Sequence, residues 1–216
     1  MTDESRLLAV DGVRFFGEMS ASVSHEIKNV LAIIKENAGL LQDMLAMDAR
    51  GIPLSPERLT RLAQSIDRQV ARGDGVVRNM NRFAHSADHP SETVDVQEAI
   101  RFVIDLADRL IAMKGRPPRI EAAAIPVTAV TNRFFLERLI WACLWQALEA
   151  CAPEETISVV AEKTDAAVRI RFQGLAEDFF TAGTPFPSPE ETTVCRMVGA
   201  RLSADENAKE IVIVLS

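Results

Sequence analysis

Between Phe16 and Leu45 the large apolar residues recur at steps of three and four: Phe16, Met19, Val23, Ile27, Val30, Ile34, Leu41 and Leu45, with Ala38 filling the one gap. A stripe of that period is one face of an α-helix, and it predicts a helix from about residue 4 to residue 48. That is far longer than an ordinary globular helix and asks for a bundle or coiled-coil partner. The stop is marked by Gly51 and Pro53 after "MDAR". Ser55 is then a good N-cap, with Pro56 at the first helical position, where its missing N–H costs nothing. A second stripe follows at Leu59, Leu62, Ile66, Val70, Gly73, Val77, Met80 and Ala84, ending near "FAHSADHPSE". Two long amphipathic helices and a short loop make a helical hairpin. Two such helices bury little by themselves, so two chains are expected to pair as a homodimer with a four-helix bundle.

The rest of the composition narrows the class. The 216 residues have room for one large domain or two small ones. No apolar run reaches the roughly 18 residues of a membrane span, and "MTDESRLLAV" is acidic where a signal peptide would be basic. The three cysteines, Cys143, Cys151 and Cys195, lack the close pairing of a zinc site. Cys143 and Cys151 lie in or beside an apolar helix-like run and read as buried free thiols. A cytoplasmic protein with no membrane partner is expected. The formal charge of −7 argues against nucleic acid, whose phosphates call for a basic surface.

At about 100° per residue, His25 lies about 160–200° from Val23 and Ile27, away from the apolar stripe. Its neighbours on that face, Ala21, Asn29 and Ala32, are small or polar. A lone exposed histidine is ordinarily solvated surface; its neighbours here give it chemistry. With an unperturbed pKa of about 6.5, an exposed imidazole is largely neutral and nucleophilic near pH 7. Glu26 can accept the Nδ1 proton, leaving Nε2 free to attack phosphorus. Lys28 brings positive charge, and Asn29, one turn on, can position a water.

The stretch "SVSHEIKNVLAII" resembles the H-box of bacterial sensor histidine kinases, S-H-E-[LI]-[RK]-[TN]-P-L-x-x-I, at Ser24, His25, Glu26, Ile27, Lys28, Asn29, Leu31 and Ile34. The resemblance implies a dimeric four-helix bundle with His25 as phospho-acceptor and Glu26 as its proton acceptor. It also implies that Asn29 orients water for dephosphorylating a partner. Val30 stands where the family usually has proline, which weakens the bend expected below the histidine.

The composition shifts after "HPSETVD". Asp95 is expected to cap a helix from about Val96 to Met113, broken by "GRPPR". A strand-like "IPVTAV" precedes a helix from about Asn132 to Ala150. "TISVVAEK" and "AAVRIRFQ" alternate as a hairpin turning at Thr164 and Asp165. A short helix over about Glu190 to Arg201, with Ser188 capping it ahead of Pro189 in the loop "TPFPSPEE", and a final strand "EIVIVLS" close the chain. This order resembles the α/β sandwich (GHKL ATPase-like) of the kinases, with helices on one face of a mixed sheet. The organisation is therefore read as residues 1–90, a dimerisation and phosphotransfer hairpin, and residues 91–216, an ATPase-like α+β domain.

By that resemblance the ATP motifs are erased. The family's central helix reads N-L-x-x-N-A-x-E-A, and its asparagines hold Mg²⁺ and phosphates. Here "ACLWQALEA" puts Ala142 and Gln146 at the asparagine positions. The D-x-G-x-G motif, whose aspartate reads adenine, becomes "FQGLA", with Phe172 for the aspartate and Ala176 for the last glycine. No Gly-rich lid follows, since "FFTAGTPFPSPEETTVCRMVG" has only Gly183 and Gly199. The single G-x-G, "GDG" at 73–75, falls on the second hairpin helix and reads as helix weakening or close packing. No cofactor is therefore expected, and autokinase activity is read as lost. His85 and His89 have only Asp88 as a nearby carboxylate, so no metal site is expected. Trp141 and Trp145 read as core.

A competent histidine hairpin fused to a degenerate ATPase-like domain resembles kinase-derived histidine phosphotransferases. Those shuttle phosphoryl groups between receiver-domain aspartates, so the partner implied is a response-regulator receiver. Two alternatives stand beside this reading: a divergent ATP-dependent kinase, and a non-catalytic dimeric scaffold.

Overall fold

The computed structural model describes residues 3–123, 125–152, 154–164, 167–181 and 186–216. Asp165, Gly183, and the Thr184 and Pro185 that open the Pro-rich loop lie outside the described residues. A helical hairpin is followed by α/β structure with a mixed sheet. By contacts, the chain forms one unit of residues 20–82 and another that joins the stretch ending at Met19 to residues 83–216. No helix among the described residues is long and apolar enough to cross a membrane.

Helix α1 spans Asp3–Asp48 and α2 spans Pro56–His85. The periodic stripes set both lengths. Ser55 begins α2: its Oγ accepts from the Arg58 N–H at 3.4 Å and donates to Glu57 at 2.7 Å. Within residues 20–82, Val23, Val30 and Val76 are buried, while Ile27, Ile34, Leu41, Leu62 and Ile66 are half-buried. The inward face of α2 differs from the expected stripe. Val76 is buried, whereas Val70 and Val77 are each 47% exposed. Asn37 crosses the hairpin, donating to Ser65 Oγ at 3.2 Å. Gly73 marks a close approach, since a Cβ there would sit 3.3 Å from Val30 Cγ1.

In the second unit, β1 (Glu92–Asp95) pairs antiparallel with β3 (Thr128–Thr131). Strands β2 (Arg119–Glu121), β4 (Ser158–Lys163), β5 (Val168–Gln173), β6 (Ala200–Asp205) and β7 (Glu210–Leu215) form a sheet in the order β2-β4-β5-β7-β6. The β2–β4 pair is parallel and the others antiparallel. The β4–β5 hairpin is in the expected place, with Val159 opposite Phe172. Along β5, Val168, Ile170 and Phe172 are buried, matching alternate positions turned toward one face.

Helix α3 (Val96–Leu106) is capped by Asp95, whose side chain accepts from the Glu98 N–H at 2.9 Å. The single helix expected to Met113 is instead two. Ala107 leaves helical geometry (φ −99°, ψ 10°), and α4 (Asp108–Lys114) starts beyond it. Helix α5 (Arg133–Glu149) has Asn132 as N-cap, with Oδ1 accepting from the Phe135 N–H at 3.0 Å. It is buried around most of its circumference, because α3, α4, α7 and β5 all pack on it. A short α6 (Asp178–Thr181) precedes α7 (Pro189–Val198). Ser188 and Glu191 form a reciprocal capping box at the start of α7. This helix was expected to reach Arg201 but stops at Gly199, whose φ of +68° suits glycine, and Arg201 lies in β6.

The first turns of α1 join this unit through aromatic packing. Phe15 meets Phe83 edge-on at 5.2 Å and Phe134 at 5.5 Å. Phe15, not the stripe's Phe16, is the core residue; Phe16 is 40% exposed. Cys143 and Cys195 are buried free thiols, but Cys151 is only half-buried.

Candidate functional site

Around residue 25 the helix period sorts side chains cleanly. Val23 and Val30 are buried, while Ser24, His25, Lys28 and Asn29 are exposed. The imidazole is reachable from solvent, and among the described residues it has no hydrogen-bond partner. Lys28 and Asn29 flank it one turn along α1.

Glu26 is placed differently from its neighbours. It is half-buried, and its Oε1 accepts from Arg72 Nε at 3.2 Å and from a terminal Arg72 nitrogen at 3.0 Å. No hydrogen bond joins Glu26 to His25 among the described residues. The structure thus brings Glu26 together with Arg72 of α2, a residue that sequence reasoning missed. Six arginines are spread along α2, and periodicity alone does not say which of them reaches across the hairpin.

The positions matched to the ATP motifs fall in the second unit. Ala142 and Gln146 line a cleft of about 410 Å³ with Trp141, Trp145, Glu18 and Glu191. Ala142 offers no ligand atom, and Gln146 Nε2 donates to Glu191 Oε1. The cleft wall also holds Glu190, and Trp141 Nε1 donates to Glu18 at 3.2 Å. Arg14 and Arg138 line it as well, Arg138 paired with Asp11 at 2.7 Å, so the wall carries charges of both signs. Phe172 is fully buried in β5 between Val159 and Ile211, so no group at that position faces a ligand. Trp141 is buried and Trp145 half-buried, with ring centroids 5.4 Å apart and Lys114 standing 4.4 Å over Trp145.

His85 ends α2 with Nδ1 2.8 Å from Asp88 Oδ2, while His89 lies past the helix, where its carbonyl accepts from Asn132. The two are therefore not helix-spaced ligands. No cluster of three or more His, Cys, Asp or Glu able to hold a metal occurs among the described residues.

No protein-family model matches the sequence, and no curated protein matches it. Among solved structures, the chain is similar to Acinetobacter baumannii histidine kinase AdeS, at 12% identity over 89% of this chain and 97% of that one, with a TM-score of 0.45. It is similar to a bacterial phosphotransferase at 13% identity over 92% of this chain and 94% of that one, with a TM-score of 0.45. It is also similar to histidine kinase ThkA in complex with response regulator protein TrrA, at 19% identity over 94% of this chain and 61% of that one, with a TM-score of 0.44.

Proposed function

We propose that this chain is a histidine phosphotransfer protein, in which His25 exchanges a phosphoryl group with a receiver-domain aspartate and ATP is not the donor. His25 Nε2 attacks the aspartyl phosphate; the N–P bond forms as the O–P bond breaks, and aspartate leaves as carboxylate. The Nδ1 proton passes toward Glu26, Lys28 faces the incoming charge, and Asn29 can hold a water. Residues 1–90 carry the transfer as a homodimeric hairpin in the cytoplasm, and residues 91–216 offer a docking surface for the receiver. The receiver brings its own Mg²⁺.

One contrast carries this reading. The imidazole in the H-box-like stretch is exposed, whereas Phe172, at the position matched to the nucleotide-reading aspartate, is fully buried. A protein built this way can hold a phosphoryl group but has few means of holding the triphosphate that would supply one. The test compares donors: radiolabelled Mg²⁺-ATP alone, and a phosphorylated receiver domain. Label arriving only from the receiver supports the proposal; micromolar ATP affinity with label on His25 supports the divergent-kinase reading. Label from neither donor supports the scaffold.

A further inference from the structure

We infer that Arg72 of α2 is a positioning residue for the phosphoryl chemistry at His25, acting through Glu26; this rests on the phosphotransfer reading above. Both Arg72 donors go to one carboxylate oxygen, Oε1, at 3.2 and 3.0 Å. Among the described residues, Oε2 carries no hydrogen bond. The Glu26 side chain is 13% exposed, so it does not swing freely, while Arg72 is 51% exposed and reaches it from the solvent side.

The "GDG" stretch explains how the reach is made. Glycine inside a helix costs about 1 kcal/mol relative to alanine, yet Gly73 sits against Val30, where a Cβ would be 3.3 Å from Val30 Cγ1. Val30 lies one turn beyond Glu26, so the close approach of α2 to α1 occurs beside the carboxylate that Arg72 holds.

The arrangement divides the work between the two oxygens. Oε1 is fixed by the guanidinium, and Oε2 is left to take the Nδ1 proton. As the Nε2–P bond forms and the aspartyl O–P bond breaks, that proton moves from Nδ1 to Oε2 and then to solvent. A carboxylate free to rotate would spend much of its time unaligned with the ring. Arg72 is 51% exposed and fills no core position, so Arg72 variants are expected to fold.

The test is a double-mutant cycle on label transfer from a phosphorylated receiver, alongside a measurement that needs no receiver. Glu26→Ala is expected to slow transfer about 100-fold and Arg72→Ala about tenfold, with less than about a twofold further loss when both are changed. Arg72→Lys should recover part of the rate, since an ammonium can meet Oε1 but cannot hold it with two donors from a planar fork. Nitrogen-15 NMR of the His25 ring should show the proton on Nδ1 in the wild type, and a mixture of tautomers in Arg72→Ala. Equal losses from Arg72→Ala with and without Glu26 would overturn the inference, because Arg72 would then act on the phosphoryl group or the receiver directly. Identical ring spectra for wild type and Arg72→Ala would overturn it as well. If the wild type takes no more label than His25→Ala, the phosphotransfer reading falls, and the ring spectra alone still decide whether Arg72 positions Glu26 beside the imidazole.

Discussion

Asp11 Oδ1 and a terminal nitrogen of Arg138 lie 2.7 Å apart, joining the first turns of α1 to α5 through two side chains only 10% and 18% exposed. Removing one partner of a pair this enclosed strands the other charge. Asp11→Ala is expected to cost about 3 kcal/mol, read as a lower urea midpoint with an unchanged slope. The exposed pair Lys209–Glu177, at 50% and 83%, provides the contrast. Glu177→Ala should change stability by less than about 0.5 kcal/mol. Equal effects from the two substitutions would contradict this account of α1.

Restoring the aspartate of the nucleotide motif should not restore nucleotide binding. Phe172 fills the core of the sheet, and a carboxylate there would be buried without a partner. Phe172→Asp is expected to lose more than about 4 kcal/mol of stability and to gain no ATP affinity in a calorimetric titration. A folded variant with wild-type melting that binds ATP would refute it.

The buried thiols predict an alkaline weakness. Burial, and then Glu191, pushes the Cys195 thiol up to about 11. Burial, Glu191 and Cys195 push Cys143 well above its ordinary range. In the unfolded chain these thiols ionise near their ordinary values, whereas in the folded chain they hold their protons. The unfolded state then binds fewer protons, so stability is intact below about pH 8.5 and falls as pH rises toward 11. Melting temperatures at pH 8, 9 and 10 should decline, and Cys195→Ala should flatten part of that decline. In the native protein at pH 8, alkylation followed by mass spectrometry should find the half-buried Cys151 modified ahead of Cys143 and Cys195. Modification of Cys195 as fast as that of a free thiol would contradict the burial.

The hairpin leaves Leu31, Leu40, Leu45, Val70 and Val77 between 47% and 58% exposed. Exposed apolar side chains in this number on two long helices are expected to be covered by a second copy, giving a dimer by light scattering at micromolar concentration. Val70→Glu should shift the mass toward the monomer while leaving helix content near that of the wild type. A wild-type monomer at all accessible concentrations would remove the four-helix bundle from the account.

The sequence made some of this fold legible because single residues dictate local geometry. Ser55, Asp95 and Ser188 each cap the helix they were expected to cap, whereas Asn132, expected as the first residue of its helix, is the N-cap of α5. The long α1 was readable because its stripe repeats for many turns. Strands β1, β2 and β6 were not, since each is short or mostly exposed; β6 buries only Leu202. The break at Ala107 has no glycine or proline to announce it. At the site, the exposure of His25 follows from helix arithmetic, whereas the Arg72–Glu26 pair depends on how two helices meet across 46 residues of sequence. Local periodicity does not encode that register. The one hint was "GDG", whose first glycine marks the close approach of the two helices.

The most direct measurement of the central claim is the intact mass of the protein after mixing with a phosphorylated receiver domain and Mg²⁺, without ATP. The account predicts one added phosphoryl group, mapped to His25, lost on acid treatment and absent from His25→Ala. No added mass in the wild type, or equal addition to His25→Ala, would contradict it.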